Sequence, residues 1–195
     1  MNTHDEIQLI QTCLQGSRNH FEPLVKKYQS PVIALAVNIL GNHDDALDIA
    51  QETFVQAFTN LYRFDTQRNF KSWLLGIAAK RCLDHLKKQR SFLNYFLKHP
   101  KQFHLDANIS IDRKAIEESE TFRPLLKKMK NNERVALVLK INESYSAKEI
   151  ADVLNCSEST ARVHLFNAKQ KLKKELLAIG KNKNQKITPV GEVLT

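Results

Sequence analysis

Glycine and cysteine are both scarce, at five and three of 195 residues. So few glycines argue against a phosphate-cradling loop and against a turn-rich β fold. Cys13, Cys82 and Cys156 lie far apart with no Cys-x-x-Cys pair, which excludes a disulfide framework and a cysteine zinc cluster and suits a reducing cytoplasm. A run of about 18 apolar residues is missing too, so no membrane insertion is expected. The opening MNTHDEIQLIQTCLQG lacks the basic start and long apolar stretch of a secretory signal. No activated nucleophile stands out, and His85, His99, His104 and Cys82 are too scattered to suggest a metal site. The expectation is a cytoplasmic protein that is no enzyme by itself and carries no cofactor.

What is present is apolar content and positive charge. A hydrophobic fraction of 42% is enough for a real core. The formal net charge is +9, but it is unevenly placed: −3 over residues 1–70, +7 over 71–104, −3 over 105–121 and +8 over 122–195. Two basic blocks separated by an acidic stretch read as two cationic surfaces and a linker. Blocks this basic meet phosphate or anionic lipid, and their place beside helical motifs favours nucleic acid.

Almost every apolar pattern has the helical period, so the fold class expected is all-α. Asp5 to Leu14 reads as a first helix ended by Gly16-Ser17. His20 to Gln29 reads as a second, and Ser30-Pro31 as the cap and first residue of a third, PVIALAVNIL. The helix from Asp44 to Leu61 has two faces. Leu47, Ala50, Phe54, Ala57, Phe58 and Leu61 follow the spacing of a buried stripe, with Asp48, Gln51, Glu52, Val55, Gln56 and Thr59 opposite. Tyr62 to Asn69 reads as a loop. A long helix then runs from Phe70 to about Arg90, with Trp73, Leu74, Ile77, Ala78 and Leu86 on its core side and Lys80, Arg81, Lys87, Lys88 and Arg90 along its second half.

The C-terminal part carries a helix-turn-helix signature. Ser146 and Glu149 form a capping box ahead of AKEIADVL. Asn155-Cys156-Ser157 makes a turn, in which Asn tolerates the left-handed conformation. Ser157 caps a second helix with Ala161, Leu165, Ala168, Leu172 and Leu176 inward, and small Ala151 and Ala161 suit a close crossing. In such motifs the second helix enters the major groove. Its outward side offers Glu158, Ser159, Thr160, Arg162, Val163, Phe166 and Lys169. Glu158 suits cytosine, Arg162 guanine, and Val163 or Phe166 a thymine methyl. Lys148, Lys169, Lys171, Lys173 and Lys174 suit phosphates.

The N-terminal half narrows the choice. DALDIAQETF (45–54), FKSWLLGIA (70–78) and DHLKK (84–88), followed by EIADVL and the Thr160–Val163 helix, resemble in order the bacterial sigma-70 family, in its extracytoplasmic-function (ECF) group. The resemblance covers about residues 19–91 and 122–177. It implies two small helical domains: 1–95, similar to sigma region 2; a linker, 96–121; and 122–179, similar to region 4. The polar tail, 180–195, has no core-forming pattern and is expected to be disordered. It implies a sigma factor whose partners are core RNA polymerase and promoter DNA, controlled by an anti-sigma factor. By matching position, Asp48, Gln51 and Glu52 bind polymerase. Arg63, Phe70, Trp73, Lys80, Arg81, Lys87 and Lys88 belong to the surface that opens the −10 element, with Trp73 also in the core stripe. Ser157 to Lys174, assisted by Lys148, reads the −35 element. This sequence departs from the family pattern at Leu47, Lys80, Met129-Lys130, His164 and Asn167. The competing readings, a stand-alone helix-turn-helix regulator and a helical adaptor with basic faces, leave the N-terminal motifs unexplained.

Overall fold

In this computed structural model, which describes residues 3–98 and 122–182, all the regular structure is helical. The helices are α1 (Thr3–Leu14), α2 (Glu22–Leu40), α3 (His43–Thr59), α4 (Phe70–Lys98), α5 (Phe122–Lys127), α6 (Asn131–Glu143), α7 (Ala147–Leu154) and α8 (Glu158–Asn182), with 3₁₀ turns at Arg18–Phe21 and Leu61–Arg63. None of them is long and apolar enough to cross a membrane, among the described residues. Most of the expected linker, His99, Phe103, His104 and the tail beyond Asn182 lie outside the described residues.

The helix boundary expected at Ser30-Pro31 does not exist: α2 runs through Pro31 without a break. Leu24, Tyr28, Val32, Leu35, Ala36 and Ile39 are all buried and keep one helical phase across the proline. That uninterrupted stripe outweighs the roughly 3 kcal/mol an interior proline costs. Gly41 ends α2 in the left-handed conformation, φ 76°, with its N–H donating to Val37 O at 2.8 Å. Asn42 then caps α3, its Oδ1 accepting from the N–H groups of Asp44 and Asp45 at 2.8 and 3.3 Å.

In α3 the buried stripe is Ala46, Ile49, Ala50, Thr53, Phe54 and Ala57. Leu47, expected inside, is 37% exposed. The stripe is centred one residue from it, about 100° around the helix, and Ala46 and Ile49 occupy the inward places. In α4 the inward side is Leu74, Leu75, Ala78, Ala79, Cys82 and Leu83, with Trp73, Ile77 and Leu86 half-buried. This helix continues past Arg90 to Lys98. At the N-terminus, buried Glu6 holds α1 to α2, its carboxylate accepting from Lys27 and, at 2.5 Å, from the Tyr28 hydroxyl.

The C-terminal unit forms as its local signals dictate. The Ser146 N–H donates to Glu149 Oε2 at 2.8 Å, while the Glu149 N–H donates to Ser146 Oγ at 3.2 Å. Asn155 is left-handed at φ 52°, and the Thr160 N–H donates to Ser157 Oγ at 3.2 Å. Ile150, Ala151, Val153, Ala161, Ala168 and Leu172 are buried. Gly180 does not stop α8, which reaches Asn182; one interior glycine costs a helix only about 1 kcal/mol.

The buried side chains of both units form one continuous apolar cluster. The seam is pinned by polar groups as well. Arg134 of α6 donates to Ile39 O, at the end of α2, over 2.7 Å, and Tyr145 donates its hydroxyl hydrogen to Ser72 O of α4.

Candidate nucleic-acid and protein interfaces

The outward face of α3 combines Asp48, Gln51 and Glu52, all exposed, with two exposed apolar side chains, Leu47 at 37% and Val55 at 67%. Leu47, Gln51 and Val55 succeed one another at four-residue intervals and share that face. The face is therefore mixed, two exposed apolar side chains beside two carboxylates and an amide. The sequence reading missed the exposure of Leu47 because its spacing counted this residue into the buried stripe. Arg81, expected on the DNA-facing side of α4, lies against this face instead. Its Nε donates to Gln56 Oε1 at 2.6 Å and its Nη1 to Glu52 Oε2 at 3.2 Å. One turn decides this, since α3 and α4 pack side by side and Arg81 is on the flank nearest α3.

The second surface starts at the loop before α4. Phe64, Phe70 and Trp73 pack as a group, with Phe64–Phe70 centroids 5.3 Å apart at 90° and Phe70–Trp73 centroids 5.6 Å apart. Phe70, expected among the strand-opening residues, is 3% exposed and also packs on Tyr28 at 5.7 Å. It is a wall support with no open face, because the same aromatic bulk that stacks a base also fills a core. Trp73 is half-buried and keeps an edge in a cleft of about 480 Å³. Arg68, Asn69, Ile77 and Lys80 of the N-terminal unit line that cleft from one side. Tyr145, Lys148, Glu149, Asp152 and Val153 line it from the other. Gly76 faces α7, where an added Cβ would sit 3.5 Å from Val153 Cγ2.

The cleft is electrostatically mixed. Hydrogen bonds from the Ser146 backbone and side chain, with smaller help from the charges of Arg68 and Lys140, hold the Glu149 carboxyl below the usual glutamate range. Arg68, Lys80 and Lys148 bring positive charge to its lining, and Glu149 and Asp152 bring two carboxylates from α7. Arg63 is exposed and its Nε donates to the Tyr62 hydroxyl at 3.0 Å, outside the cleft lining. Lys87 and Lys88 are exposed further along α4, Lys87 beside Asp84 at 3.3 Å.

The third surface is the N-terminal half of α8. Val163 and Phe166 are 55% and 60% exposed, large apolar side chains left uncovered by the described residues. Glu158, Ser159, Thr160 and Arg162 are exposed beside them, and Lys169 is half-buried further on. Ser157 Oγ is shared with the hydroxyls of Ser159 and Thr160, at 2.8 Å each, so these two hydroxyls are tied to the cap. Lys171 is committed to the fold, its Nζ 2.6 Å from the buried Glu133 carboxylate. Lys148 lies in the cleft rather than with α8. The helix-turn-helix therefore brings together Glu158, Arg162, Val163 and Phe166, and leaves Lys148 to the other surface.

The match to known families follows the same division. The Sigma-70 region 2 model matches residues 24–92 and the Sigma-70, region 4 model matches residues 120–172. The chain is 28% identical over 173 residues to the ECF RNA polymerase sigma factor SigW of Bacillus subtilis, covering 83% of this chain and 91% of that one. It is 28% identical over 178 residues to the RNA polymerase sigma-H factor of Pseudomonas aeruginosa, covering 87% and 92%. In fold it is similar to the sigma factor RpoE of Bartonella quintana, solved with the anti-sigma factor NepR, at TM-score 0.61 and 20% identity over 80% of this chain and 96% of that one. It is similar also to CnrH, solved with the cytosolic domain of CnrY, at TM-score 0.59 and 24% identity over 87% and 96%. With both regions matched in order on a chain of its relatives' length, the protein belongs to the sigma-70 family of RNA polymerase sigma factors, in the extracytoplasmic-function group.

Proposed function

We propose that the protein joins core RNA polymerase in the cytoplasm and directs it to promoters, with its three exposed surfaces divided between polymerase and DNA. The observation that carries this reading is the pairing of two family regions, in order, with surfaces of fitting chemistry. The acidic and apolar face of α3, with Asp48, Gln51, Glu52, Leu47 and Val55, takes the polymerase. The cleft edge with Trp73, Arg68 and Lys80, continued by Lys87 and Lys88, takes the −10 element. A cationic track beside an aromatic edge suits an unstacked strand. The exposed side of α8 takes the −35 element in the major groove.

In the arrangement described above, α7 covers the cleft edge of α4, so a DNA strand enters only after α7 moves away. A seam held by an apolar cluster and a few hydrogen bonds suits control by a protein that favours the closed form, and an anti-sigma factor is the partner proposed. The test is assembly. Mixed with core polymerase, the protein should co-elute as a holoenzyme, and charge reversal at Asp48 and Glu52 together should abolish that complex while leaving the helical fold intact. Co-elution of the reversed variant at wild-type levels would remove polymerase binding from α3. No complex with either protein would leave the stand-alone regulator as the better reading.

A further inference from the structure

The base-reading candidate on α8, Arg162, is already engaged. Its Nη2 donates to Glu158 Oε1 at 2.5 Å and its Nε to the same oxygen at 3.2 Å. Glu158 is the first residue of α8 and Arg162 stands one turn later, the favourable acid-before-base order at this spacing. Both side chains are open to solvent, Arg162 at 70% and Glu158 at 45%. An exposed pair of this kind adds little to stability, so its consequence lies in orientation.

We propose that Glu158 is a positioning residue: it holds the Arg162 guanidinium so that its remaining fork reads a guanine, rather than reading a base itself. This rests on the reading of α8 as the promoter-facing helix. A guanidinium has five N–H donors in one plane. The bonds to Glu158 consume the Nε hydrogen and one Nη2 hydrogen. What remains is the outer Nη2 hydrogen and the two on Nη1, and the end-on pair among them matches the N7 and O6 acceptors that guanine shows in the major groove. With its Nε/Nη2 edge held by Glu158, the guanidinium presents its free end-on pair in one direction. The carboxylate therefore fixes where Arg162 points as the helix docks. Val163 and Phe166, exposed on the same side, exclude water from the contact as the helix docks and suit thymine methyl groups next to that guanine.

Deleting Glu158 has a signature that separates these roles. Without the carboxylate, Arg162 is free to swing onto a phosphate, and a negative charge beside the DNA is removed. Total affinity stays level or rises, its salt dependence steepens, and selectivity at one base pair falls.

The experiment uses the holoenzyme on promoter fragments whose upstream element is randomised, with sequencing of the bound fraction for wild type, Arg162→Ala, Glu158→Ala and Glu158→Gln. Wild type should favour G·C at one position by roughly 5- to 150-fold, the range of a good bidentate contact. Arg162→Ala should lose that preference. Glu158→Ala should flatten the same position to within about 3-fold, with other positions retained, and Glu158→Gln should fall between them. If Arg162→Ala erases a preference that both Glu158 variants keep, the positioning role is overturned. If Glu158→Ala instead alters a different position, Glu158 reads a base directly and the proposal fails in that way. If Arg162→Ala changes no upstream position, Arg162 reads no base and the positioning role fails; if the wild type itself shows no upstream preference, the assignment of α8 to the promoter fails with it.

Discussion

Replacing Arg134 with alanine should loosen the C-terminal unit and its seam together. Arg134 is 8% exposed, and its guanidinium donates to Ile39 O at 2.7 Å, Leu126 O at 2.9 Å and Lys127 O at 3.3 Å. Ile39 lies in the last turn of α2, where carbonyls have no partner within the helix. A cation there also meets the negative end of the helix dipole. Each hydrogen bond to a charged group contributes roughly 1.5–3 kcal/mol, so the two shorter ones amount to roughly 3–6 kcal/mol. Against this stands the cost of keeping the charge dry, which also pulls the Arg134 guanidinium below its ordinary pKa. The net loss expected for Arg134→Ala is about 3 kcal/mol.

The assay is urea unfolding read in parallel by helical circular dichroism and by the fluorescence of Trp73, the single tryptophan, which lines the seam cleft. A protein of this size should lose roughly 1–1.5 M in urea midpoint for such a change. Two probes are needed because two packed units can part before either unfolds. In the variant the Trp73 transition should precede the loss of helix. Tyr145→Phe, which removes the hydroxyl that bonds Ser72 O, should shift the Trp73 transition and leave the helix transition nearly in place. An Arg134→Ala protein whose two transitions both fall within about 0.2 M of wild type would refute the reasoning.

Two further expectations concern the same seam and its C-terminal side. Gly76→Ala should stabilise the protein by up to about 1 kcal/mol, since the new methyl sits 3.5 Å from Val153 in ordinary contact and alanine is the better helix former; a lower melting temperature would contradict it. Burial pushes the Glu133 carboxyl up, but hydrogen bonds from Lys171 and the Lys130 N–H, with the charges of both lysines, outweigh it and leave its pKa lowered. A carboxylate lowered on folding stabilises above its unfolded pKa, about 4.3, and loses that contribution as pH falls through its own lower value. The stability gap between wild type and Glu133→Gln should therefore be widest near neutral pH and close progressively below about pH 4. A gap independent of pH would assign Glu133 a purely steric role.

The sequence by itself determined what depends on neighbours three or four residues away. The Ser146–Glu149 box and the Ser157 cap rest on such short-range bonds, the left-handed Asn155 rests on its own residue type, and the ordered motifs pointed to the family from residue types alone. Tertiary structure decided everything that depends on which flank of a helix meets another. It carried α2 straight through Pro31, because an unbroken apolar stripe outweighed a missing N–H. It turned Leu47 outward and Phe70 inward, since helix phase is fixed by the packed partner and a residue 100° off the stripe changes sides. It also turned Arg81 toward α3, and joined Trp73 and Lys80 to Tyr145, Lys148 and Asp152 across one cleft. These residues are more than sixty positions apart along the chain. No local periodicity encodes that approach; it follows from apolar surface that each small unit cannot bury alone.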